Sequence, residues 1–371
     1  MAGIVQYVAK FSPRQTEIVE YLRSRIIAGE FPPGLQLPSV NQLEAKFHAS
    51  DTTVQRALGH LRKSGYINTK PREGTYVSET PPHLCHFGLV YQYHPRSHRW
   101  SQFFKAWEAE AAMLTESAYE PGSVKRQFSP YYNAEGPASV EEQQAFQAAV
   151  ESQQYAGLIF TGPPYNLMNT PILAARNLPR VAVMRWRLPD TTVLRLSFES
   201  FFEKAIGYLA GRGRRRIAFI FGCLAGQDSS YACAMLAPAL AAHNIECRRF
   251  WVQGVSVEAF SWARHCTELL MHCSRADRPD GLVITDDNLV PYATEALEDA
   301  GVDVPGELEV VAHCNLDHLT SSAVPAARLG YDVRWMLHTA VDVIDRKRRG
   351  EQVPDEIVVE PRFDGEPDPA C

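Results

Sequence analysis

The sequence predicts a mixed α/β protein in which a small helical domain with a hairpin precedes a larger body. Three observations support this fold class. An apolar stripe with helical spacing runs through the first seventy residues, a proline-marked connector follows, and strand-like runs then alternate with amphipathic helices. At 371 residues the chain is too long for one ordinary domain, since domains hold about 100–200 residues.

The small domain is predicted as three helices that share one core. Apolar residues recur every three or four positions in three segments: Ile18, Leu22, Ile26, Leu43, Phe47, Val54, Leu58, Leu61. Ser39 is expected to cap the second helix, and Ser50 or Asp51 the third. Gly65 is expected to end the third helix in a left-handed conformation. Residues 66–77, with a polar tip at 70–74, then predict a two-stranded wing.

The outward face of the third helix is polar throughout: Thr52, Thr53, Gln55, Arg56, His60, Lys63. Hydroxyls at a helix N-terminus donate to phosphate, while Gln and Arg side chains reach base edges in a major groove. This face therefore predicts DNA binding, with an ordinary solvated helix face as the alternative. Residues 1–78 carry ten Lys/Arg and six Asp/Glu and are therefore net basic. Since the whole chain has a net charge of −6, the remaining residues are net acidic. A basic N-terminal part on an otherwise acidic chain is suited to binding a polyanion through that part alone.

A longer string of residues resembles the GntR-type winged helix-turn-helix. It contains Gly29-x4-Gly34-x2-Leu37-Pro38-Ser39, then Ser50-x-Thr52-Thr53-Val54-x2-Ala57-Leu58, Gly65-Tyr66-Ile67 and Gly74-Thr75-Tyr76-Val77. The resemblance implies a homodimer on a palindromic double-stranded DNA operator, with the third helix in the major groove and the wing on the adjacent minor groove. The expected DNA-binding residues are Ser39, Asn41, Thr52, Thr53, Gln55, Arg56, Lys63, Lys70, Arg72, Gly74.

The departures from that family pattern lie at the expected DNA surface. Asn41, Asp51 and Gln55 stand where the family commonly has arginines, and Arg72 stands where a wing-tip glycine is common. Fewer cations lower the affinity for phosphate. We therefore expect an altered operator sequence and weaker binding, with the fold of the domain unaffected.

The body alternates strands and helices, which predicts parallel sheets with ligand sites at the carboxyl ends of the strands. Residues 208–220, 278–287 and 300–312 resemble the sugar-sensing domain of LacI/GalR regulators and periplasmic binding proteins, which implies a two-lobed, doubly wound domain. The combination is similar to arabinose-type repressors. We expect a head at 10–78, a linker at 79–84, a body at 85–363 and a disordered tail at 364–371.

The resemblance implies an effector site between the lobes formed by Phe103, Thr161, Trp186, Phe198, Asp287, Asn315. Three positions depart from the family: Asn315 replaces a second aspartate, Ala232 replaces an arginine, and Ser197-Phe198 replaces an Asp-Asn pair. Carbohydrate binding favours paired ionic groups and aromatic faces. A neutral carbohydrate is the first candidate effector. A less polar or modified ligand and an unresponsive pocket remain the alternatives.

Other function classes find little support. No apolar run reaches the about 18 residues of a membrane span, no export signal precedes the head, and eight irregularly spaced cysteines favour a reduced, cytoplasmic protein. The pairs His265-Cys266 and His272-Cys273 would lie about 10 Å apart on a helix, too far for one zinc ion.

We therefore expect a ligand-responsive DNA-binding repressor with no catalytic residues, cofactor or metal. One alternative is a solute-binding protein with a degenerate DNA head. Another is a pyridoxal-phosphate enzyme fused to such a head, which needs a catalytic lysine. The lysines after residue 78 are Lys105, Lys125, Lys204, Lys347, and none has a persuasive strand-end setting.

Overall fold

The computed structural model describes residues 12–116, 125–132, 134, 139–175, 178–223, 229–274 and 277–367. Its helices are α1 (Pro13–Ile27), α2 (Val40–Phe47), α3 (Asp51–Lys63), α4 (Pro82–Cys85), α5 (Gln102–Glu116), α6 (Val140–Glu151), α7 (Pro171–Ala174), α8 (Phe198–Gly211), α9 (Ser229–Ala242), α10 (Trp262–Met271), α11 (Val290–Asp299) and α12 (Val333–Arg348). Its strands are β1 (Ile67–Lys70), β2 (Gly74–Val77), β3 (His86–Val90), β4 (Gln127–Tyr131), β5 (Gly157–Phe160), β6 (Arg180–Val183), β7 (Thr191–Leu196), β8 (Ile217–Cys223), β9 (Val252–Ser256), β10 (Gly281–Ile284), β11 (Glu309–Asn315), β12 (Ala327–Tyr331), β13 (Glu356–Val359) and β14 (Arg362–Phe363).

The N-terminal domain, called the head below, contains α1 to α3 and the β1–β2 hairpin. All eight apolar residues of the predicted stripe are buried in one cluster. Ser50, and not Asp51, is the N-cap residue of α3. Gly65 has the left-handed φ of +77° that ends this helix. The two strands pair antiparallel from Ile67 opposite Val77 to Lys70 opposite Gly74, which forms the wing.

The body contains two six-stranded sheets, each the centre of one lobe. The first lobe has the strand order β4-β3-β5-β6-β7-β13, in which all pairs are parallel. The second lobe has the order β9-β8-β10-β11-β12-β14, in which only β14 is antiparallel. In each sheet the first strand of the lobe in the chain, β3 or β8, lies between the second and the third strands of that lobe. This is the arrangement of a doubly wound fold. The predicted α/β fold class is confirmed.

The chain passes between the lobes three times, and these crossings are hydrogen-bonded to one another. They lie at Ser197 between β7 and α8, at Asp332 between β12 and α12, and at residues 360–361 between β13 and β14. The Tyr331 hydroxyl donates to the carbonyl of Ser197 (3.0 Å), and the Ser197 N–H donates to the carbonyl of Val359 (3.0 Å). The three crossings therefore form one connected hinge.

Several elements differ from the sequence expectation. The edge strand β4 and helix α6 were not predicted, and α9 contains Pro238 in its interior. Residues 364–367, assigned to a disordered tail, form a turn in which the Asp364 N–H donates to the Arg328 carbonyl (2.9 Å). Residues 10–11 of the expected head and 368–371 of the expected tail lie outside the described residues.

The connector between the head and the body includes a short helix. Residues 82–85 form the short helix α4, which begins with Pro82 after Pro81. Proline is favoured in the first helical turn because its missing N–H has no intrahelical acceptor there. Among the described residues no helix is long and apolar enough to cross a membrane.

Candidate nucleic-acid interface and effector cleft

Helix α3 buries one face and exposes the other. Val54, Ala57, Leu58 and Leu61 are buried in the head core. The expected DNA-binding residues Thr52, Gln55, Arg56 and Lys63 are exposed, and Thr53 is partly exposed. Thr52, Arg56 and Lys63 follow one another at spacings of four and seven residues, which places them on one side of the helix. The structure thus presents this polar set together and free of core packing.

Asp51 lies in the first turn of α3, next to the residues expected to meet DNA. Its side chain is exposed, and the Gln55 amide lies 3.5 Å from one of its carboxylate oxygens. A carboxylate in the first turn is stabilised by the partial positive charge of the helix N-terminus. Asp51 therefore favours the helix while it opposes the approach of phosphate.

The start of α2 and the wing enclose a groove of about 600 Å³. Three of the expected DNA-binding residues line it together: Ser39, Arg72 and Gly74. The Ser39 hydroxyl accepts from the Gln42 N–H (3.3 Å), and the Gln42 side chain accepts from the Ser39 N–H (2.8 Å). This capping box fixes the first turn of α2, where Asn41 is exposed.

Strong backbone constraints shape the wing. Arg72 has a φ of +67° and Gly74 a φ of +125°. The Gln36 amide donates to the carbonyl of Glu73 (2.8 Å), and a Cβ added to Gly74 would lie 2.7 Å from that same amide nitrogen. Gln36 was missed in the sequence, because its contact is made across 37 residues and no local pattern signals it. The Lys70 ammonium lies 4.8 Å from the centroid of the Tyr76 ring.

In the second lobe, Asp287 and Asn315 meet at the carboxyl ends of two neighbouring strands. Asn315 ends β11, and Asp287 lies three residues after β10. The Asn315 amide donates to a carboxylate oxygen of Asp287 (2.5 Å), and both residues are at most 2% exposed. Burial, followed by the nearby charge of Asp286, raises the pKa of Asp287. A ligand that donates hydrogen bonds or brings positive charge would favour the ionised form of this carboxyl.

A buried imidazole adjoins this pair. The Nδ1 atom of His313 lies 3.9 Å from a carboxylate oxygen of Asp287. Burial lowers the pKa of His313 to about 4, so the ring is neutral at pH 7. Neither His313 Nδ1 nor the side-chain oxygen of Asn315 has a hydrogen-bond partner within the described part of the chain. Buried polar atoms are seldom left unpaired, and these two are suited to the hydroxyls of a ligand.

The first lobe carries a cluster of aromatic rings at the carboxyl end of β3. Tyr91, directly after β3, lies 5.0 Å from Trp100 and 5.4 Å from Tyr132 between ring centroids. Phe104 lies 5.3 Å from Trp100. Sequence reasoning missed this cluster, although Tyr91 and Tyr93 at a strand end were a usable signal. Aromatic faces at the carboxyl ends of parallel strands are suited to the C–H surface of a ligand.

The other expected effector residues are more dispersed. The Phe103 ring packs against Phe104 and Trp107, and the buried Thr161 hydroxyl donates to the carbonyl of Val90 (3.1 Å). Phe198 contacts the Tyr331 ring (6.2 Å), which contacts His313 (5.8 Å). Trp186 is 64% exposed. The structure therefore brings together Asp287 and Asn315, connects Phe198 to them through two rings, and leaves Trp186 on the surface.

Contacts join the two lobes across the cleft. The backbone N–H of Gln102 donates to the side-chain oxygen of Asn288 (3.0 Å), and the Asn288 amide donates to Asp286 (2.7 Å). Glu110, only 3% exposed, binds the His318 imidazole (2.7 Å). Since Gln102 begins α5, the first lobe is tied directly to the acidic end of β10.

Comparison with protein families decides the identity of the head. Residues 14–77 match the family described as bacterial regulatory proteins, gntR family. This range includes all the helices and strands of the head except the first residue of α1. The head is a GntR-family domain. The match includes the whole of α3, the helix that the sequence resemblance places in the major groove.

Residues 206–362 match the periplasmic binding protein-like domain family. The match runs from within α8 to the start of β14, so it covers most of the second lobe, α12, β13 and two of the three hinge crossings, but not the crossing at Ser197. The chain therefore joins a GntR-family head to a periplasmic-binding-protein-like body, and both predicted resemblances are confirmed.

Curated relatives align with the GntR-family head. The arabinose metabolism transcriptional repressor of Geobacillus stearothermophilus is 32% identical over 73 residues, which are 20% of each chain. The HTH-type transcriptional repressor YtrA of Bacillus subtilis is 34% identical over 68 residues, 18% of this chain and 52% of YtrA. This chain thus spans only a fifth to about half of the length of these relatives. Both relatives are named as transcriptional repressors.

Solved structures resemble the body. A LacI family transcriptional regulator from Lactobacillus casei with bound glucose superposes with a TM-score of 0.53 at 19% identity, covering 75% of this chain and 97% of that one. The Escherichia coli transcriptional repressor ascG superposes with a TM-score of 0.57 at 18% identity, covering 75% and 97%. At this level of identity the likeness establishes the two-lobed fold.

Proposed function

We propose that this chain is a transcription repressor that binds operator DNA through residues 10–78 and is controlled by a small molecule held between the lobes of residues 85–363. The observation that carries the proposal is the exposed polar face of α3, which is presented on an intact GntR-family core beside the wing. A two-lobed body on the same chain supplies a place for an effector. Such a regulator acts on DNA in the cytoplasm, as a homodimer whose two heads contact the two halves of a palindrome.

On the DNA, α3 enters the major groove. Thr52 and Thr53 donate to phosphate at its N-terminus, while Gln55 and Arg56 reach base edges. Lys63, Lys70 and Arg72 contact phosphates, and the wing lies along the adjacent minor groove. Ser39 and Asn41 place the start of α2 against the backbone. Asp51 lowers the overall affinity, because its carboxylate lies beside the same phosphates.

The effector is a carbohydrate held at the Asp287–Asn315 pair. Its hydroxyls would pair with the unpartnered polar atoms of Asn315 and His313, and Phe103 and Phe198 would border the ring. Thr161 and Trp186 belong to the same cleft in this proposal. The glucose bound in the Lactobacillus casei regulator supports a sugar as the ligand class.

Effector binding would act by shifting the population of closure angles between the lobes. The hydrogen-bonded hinge at Ser197, Tyr331 and Val359 concentrates the change at the three crossings. In a homodimer, a change in closure would alter the spacing of the two heads relative to the half-sites, which are about one helical turn apart. A ligand controls the equilibrium only by the difference in its affinity for the two states.

An enzymatic role has less support. Among the lysines that a pyridoxal-phosphate enzyme would need, Lys204 Nζ donates to the Pro361 carbonyl (2.6 Å) and Lys347 Nζ contacts the Arg180 carbonyl (3.4 Å). Both amines therefore already have structural partners. Absorbance near 400 nm in the purified protein would contradict the repressor proposal in favour of a cofactor enzyme.

The deciding experiment is selection of bound sequences from a random duplex pool with the full-length protein, repeated with a panel of sugars. We expect a palindrome to be enriched and one sugar to abolish its retention. Light scattering with and without the selected duplex would measure the oligomeric state, for which we expect two chains per operator.

A second candidate function is a solute-binding module whose head no longer binds DNA. The exposed Asp51 carboxylate on the DNA face favours it. Failure to enrich any duplex at low salt, together with saturable sugar binding by the body, would establish this second reading and reject the first.

A further inference from the structure

A cavity of about 270 Å³ lies on the flank of the first lobe, between α5 and the edge strand β4. Every residue that lines it belongs to the first lobe, so it is separate from the Asp287–Asn315 pair of the second lobe. A cavity of about 150 Å³ is enough to hold benzene. This cavity is therefore large enough for a small aromatic molecule with one polar substituent.

The walls of the cavity are mainly apolar. Leu89 of β3, Ala111 of α5 and the half-buried ring of Phe128 form its sides. The ionisable side chains that line it, apart from the Tyr91 phenol, are the carboxyl groups of Glu108 and Glu116; no Lys, Arg or His side chain among the described lining residues balances them. Apolar walls beside unbalanced carboxylates favour an organic cation over an anion or a sugar.

Tyr91 provides an independent sign that a polar group belongs in this cavity. The residue lines the cavity, is fully buried, and its hydroxyl has no hydrogen-bond partner in the described parts of the chain. A buried hydroxyl without a hydrogen-bond partner is unfavourable, because it has lost its hydrogen bonds to water and gained none in the protein. A ligand that pairs with this hydroxyl would remove that cost.

Glu108 is close to the unpaired hydroxyl. Burial and then the charge of Glu108 raise the pKa of Tyr91. One oxygen of Glu108 accepts from the Tyr132 hydroxyl (2.9 Å), which holds the carboxylate in place and leaves its second oxygen for another donor. An ammonium group placed here would donate to that second oxygen and to the Tyr91 oxygen together.

We propose that this flank cavity is a second small-molecule site, which binds a primary amine carried on a small apolar or aromatic body. The amine contacts Glu108 and Tyr91, and the body packs against Leu89 and Phe128. Glu116, two turns further along α5, adds negative charge to the same cavity without contacting the amine. The site is independent of the effector cleft and of DNA binding.

Benzylamine is the test probe, titrated calorimetrically into the full-length protein at low salt. Benzyl alcohol is its neutral counterpart and benzoate its anionic one. We expect benzylamine to bind one site per chain, at least about tenfold more tightly than benzyl alcohol, because charge-assisted hydrogen bonds are the stronger ones. We expect no saturable binding of benzoate.

Variants on exposed positions of α5 test the location without disturbing the core. Glu108→Gln should weaken benzylamine binding about tenfold and leave benzyl alcohol binding unchanged. Ala112→Trp, which fills the cavity from an exposed position, should abolish the binding of both probes. The matched control Glu141→Gln, an exposed carboxyl on α6 outside the cavity, should change neither. Melting temperatures would verify that each variant is folded.

Three outcomes would overturn the proposal. Benzylamine that binds no more tightly than benzyl alcohol rejects the amine, and binding that survives Ala112→Trp rejects the location. Absence of saturable benzylamine binding at millimolar concentration rejects the site, and a changed oligomeric state in Ala112→Trp would then assign the cavity to an interface between copies of this chain. Asp287→Asn separates this site from the effector cleft, since it should change sugar binding and leave benzylamine binding as it was.

Discussion

The phenol ring of Tyr66 is stacked on the imidazole of His83, with ring centroids 5.7 Å apart and planes inclined by 8°. Tyr66 belongs to the head and His83 to the connector helix α4, and the Tyr66 hydroxyl also donates to the carbonyl of Gln153 in the body (2.6 Å). The Arg348 guanidinium of α12 donates to the Leu84 carbonyl (3.1 Å) beside them. Head, connector and first lobe therefore meet in one joint.

The first prediction concerns the acid stability of this joint. Burial, followed by the charge of Arg348, lowers the pKa of His83 to about 4. Between pH 6.5 and 4 the unfolded chain binds this proton and the folded chain does not, so stability is present above pH 6.5 and is lost as the pH falls. His83→Phe keeps the stacking and removes the titration. It should reduce the loss of stability between pH 7 and pH 5 by on the order of 1–2 kcal/mol.

Thermal unfolding of both proteins at the two pH values measures this effect. The variant will still lose some stability between pH 7 and pH 5, because burial also lowers the pKa of His86 and His313. His265→Phe, which replaces an exposed imidazole on α10, serves as the control and should leave the pH dependence unchanged. An equal acid sensitivity in wild type and His83→Phe would contradict a neutral His83 in the joint.

How far the sequence predicted the structure depends on the distance between interacting residues. The spacing of Ile18, Leu22 and Ile26 predicts helix α1, because helical periodicity is visible within a few neighbouring residues. The Tyr66–Gln153 hydrogen bond joins residues 87 positions apart, and no local pattern encodes it. Strand β4 was missed because it carries Pro130 and lies at a sheet edge, where proline is tolerated but the strand pattern is weak.

For a related reason, the sequence predicted the exposed face of α3 but only part of the arrangement in the effector cleft. The exposed face of α3 follows from helical periodicity once its buried face is known. The pairing of Asp287 with Asn315 was foreseeable only as far as two strand ends meet at one edge of a sheet. That both would be almost fully buried depends on packing from elements far away in the chain, and so does the aromatic cluster around Tyr91.

The second prediction concerns the phosphate and base contacts of the head. Arg56→Ala and Lys70→Ala should each weaken operator binding and lower the slope of log affinity against log salt by about 1. Arg56→Ala should also relax the preference at one base position, whereas Lys70→Ala should weaken all sequences alike. Fluorescence anisotropy on the selected operator over a series of salt concentrations measures both effects. The exposed Arg187 of the body supplies the control, since Arg187→Ala should leave the operator affinity and its salt dependence unaltered. Unchanged operator affinity in both head variants would reject the proposed docking of the head on DNA.

The third prediction separates backbone strain from charge at the wing tip. Arg72 has a φ of +67°, which a side chain disfavours and glycine adopts freely. Arg72→Gly and Arg72→Ala both remove the cation, so they should weaken DNA binding to the same extent. Arg72→Gly should nevertheless be the more stable of the two by about 1 kcal/mol. Urea unfolding compares their stabilities, and a more stable alanine variant would show that residue 72 leaves the left-handed region in solution.

The fourth prediction concerns the stability cost of the buried carboxyl in the cleft. The pKa of Asp287 is raised by burial and by Asp286, so above its ordinary pKa the folded chain holds a proton that the unfolded chain has released. Stability therefore falls as the pH rises from about 4 to the pKa of the folded state. Asp287→Asn keeps an oxygen for the Asn315 amide and has no charge to bury. It should be more stable than wild type at pH 8 and nearly equal to it at pH 4.

The same variant should lose affinity for the effector sugar, because an aspartate at a sugar hydroxyl accepts the stronger, charge-assisted hydrogen bonds. Chemical unfolding at pH 4 and pH 8 and calorimetric titration with the sugar found in the duplex selection measure the two changes. Asp342→Asn, at an exposed position of α12, controls for the general effect of removing one negative charge. If Asp287→Asn gained stability but bound the sugar as tightly as wild type, Asp287 would be a buried structural residue, and the effector contacts would have to come from elsewhere in the cleft.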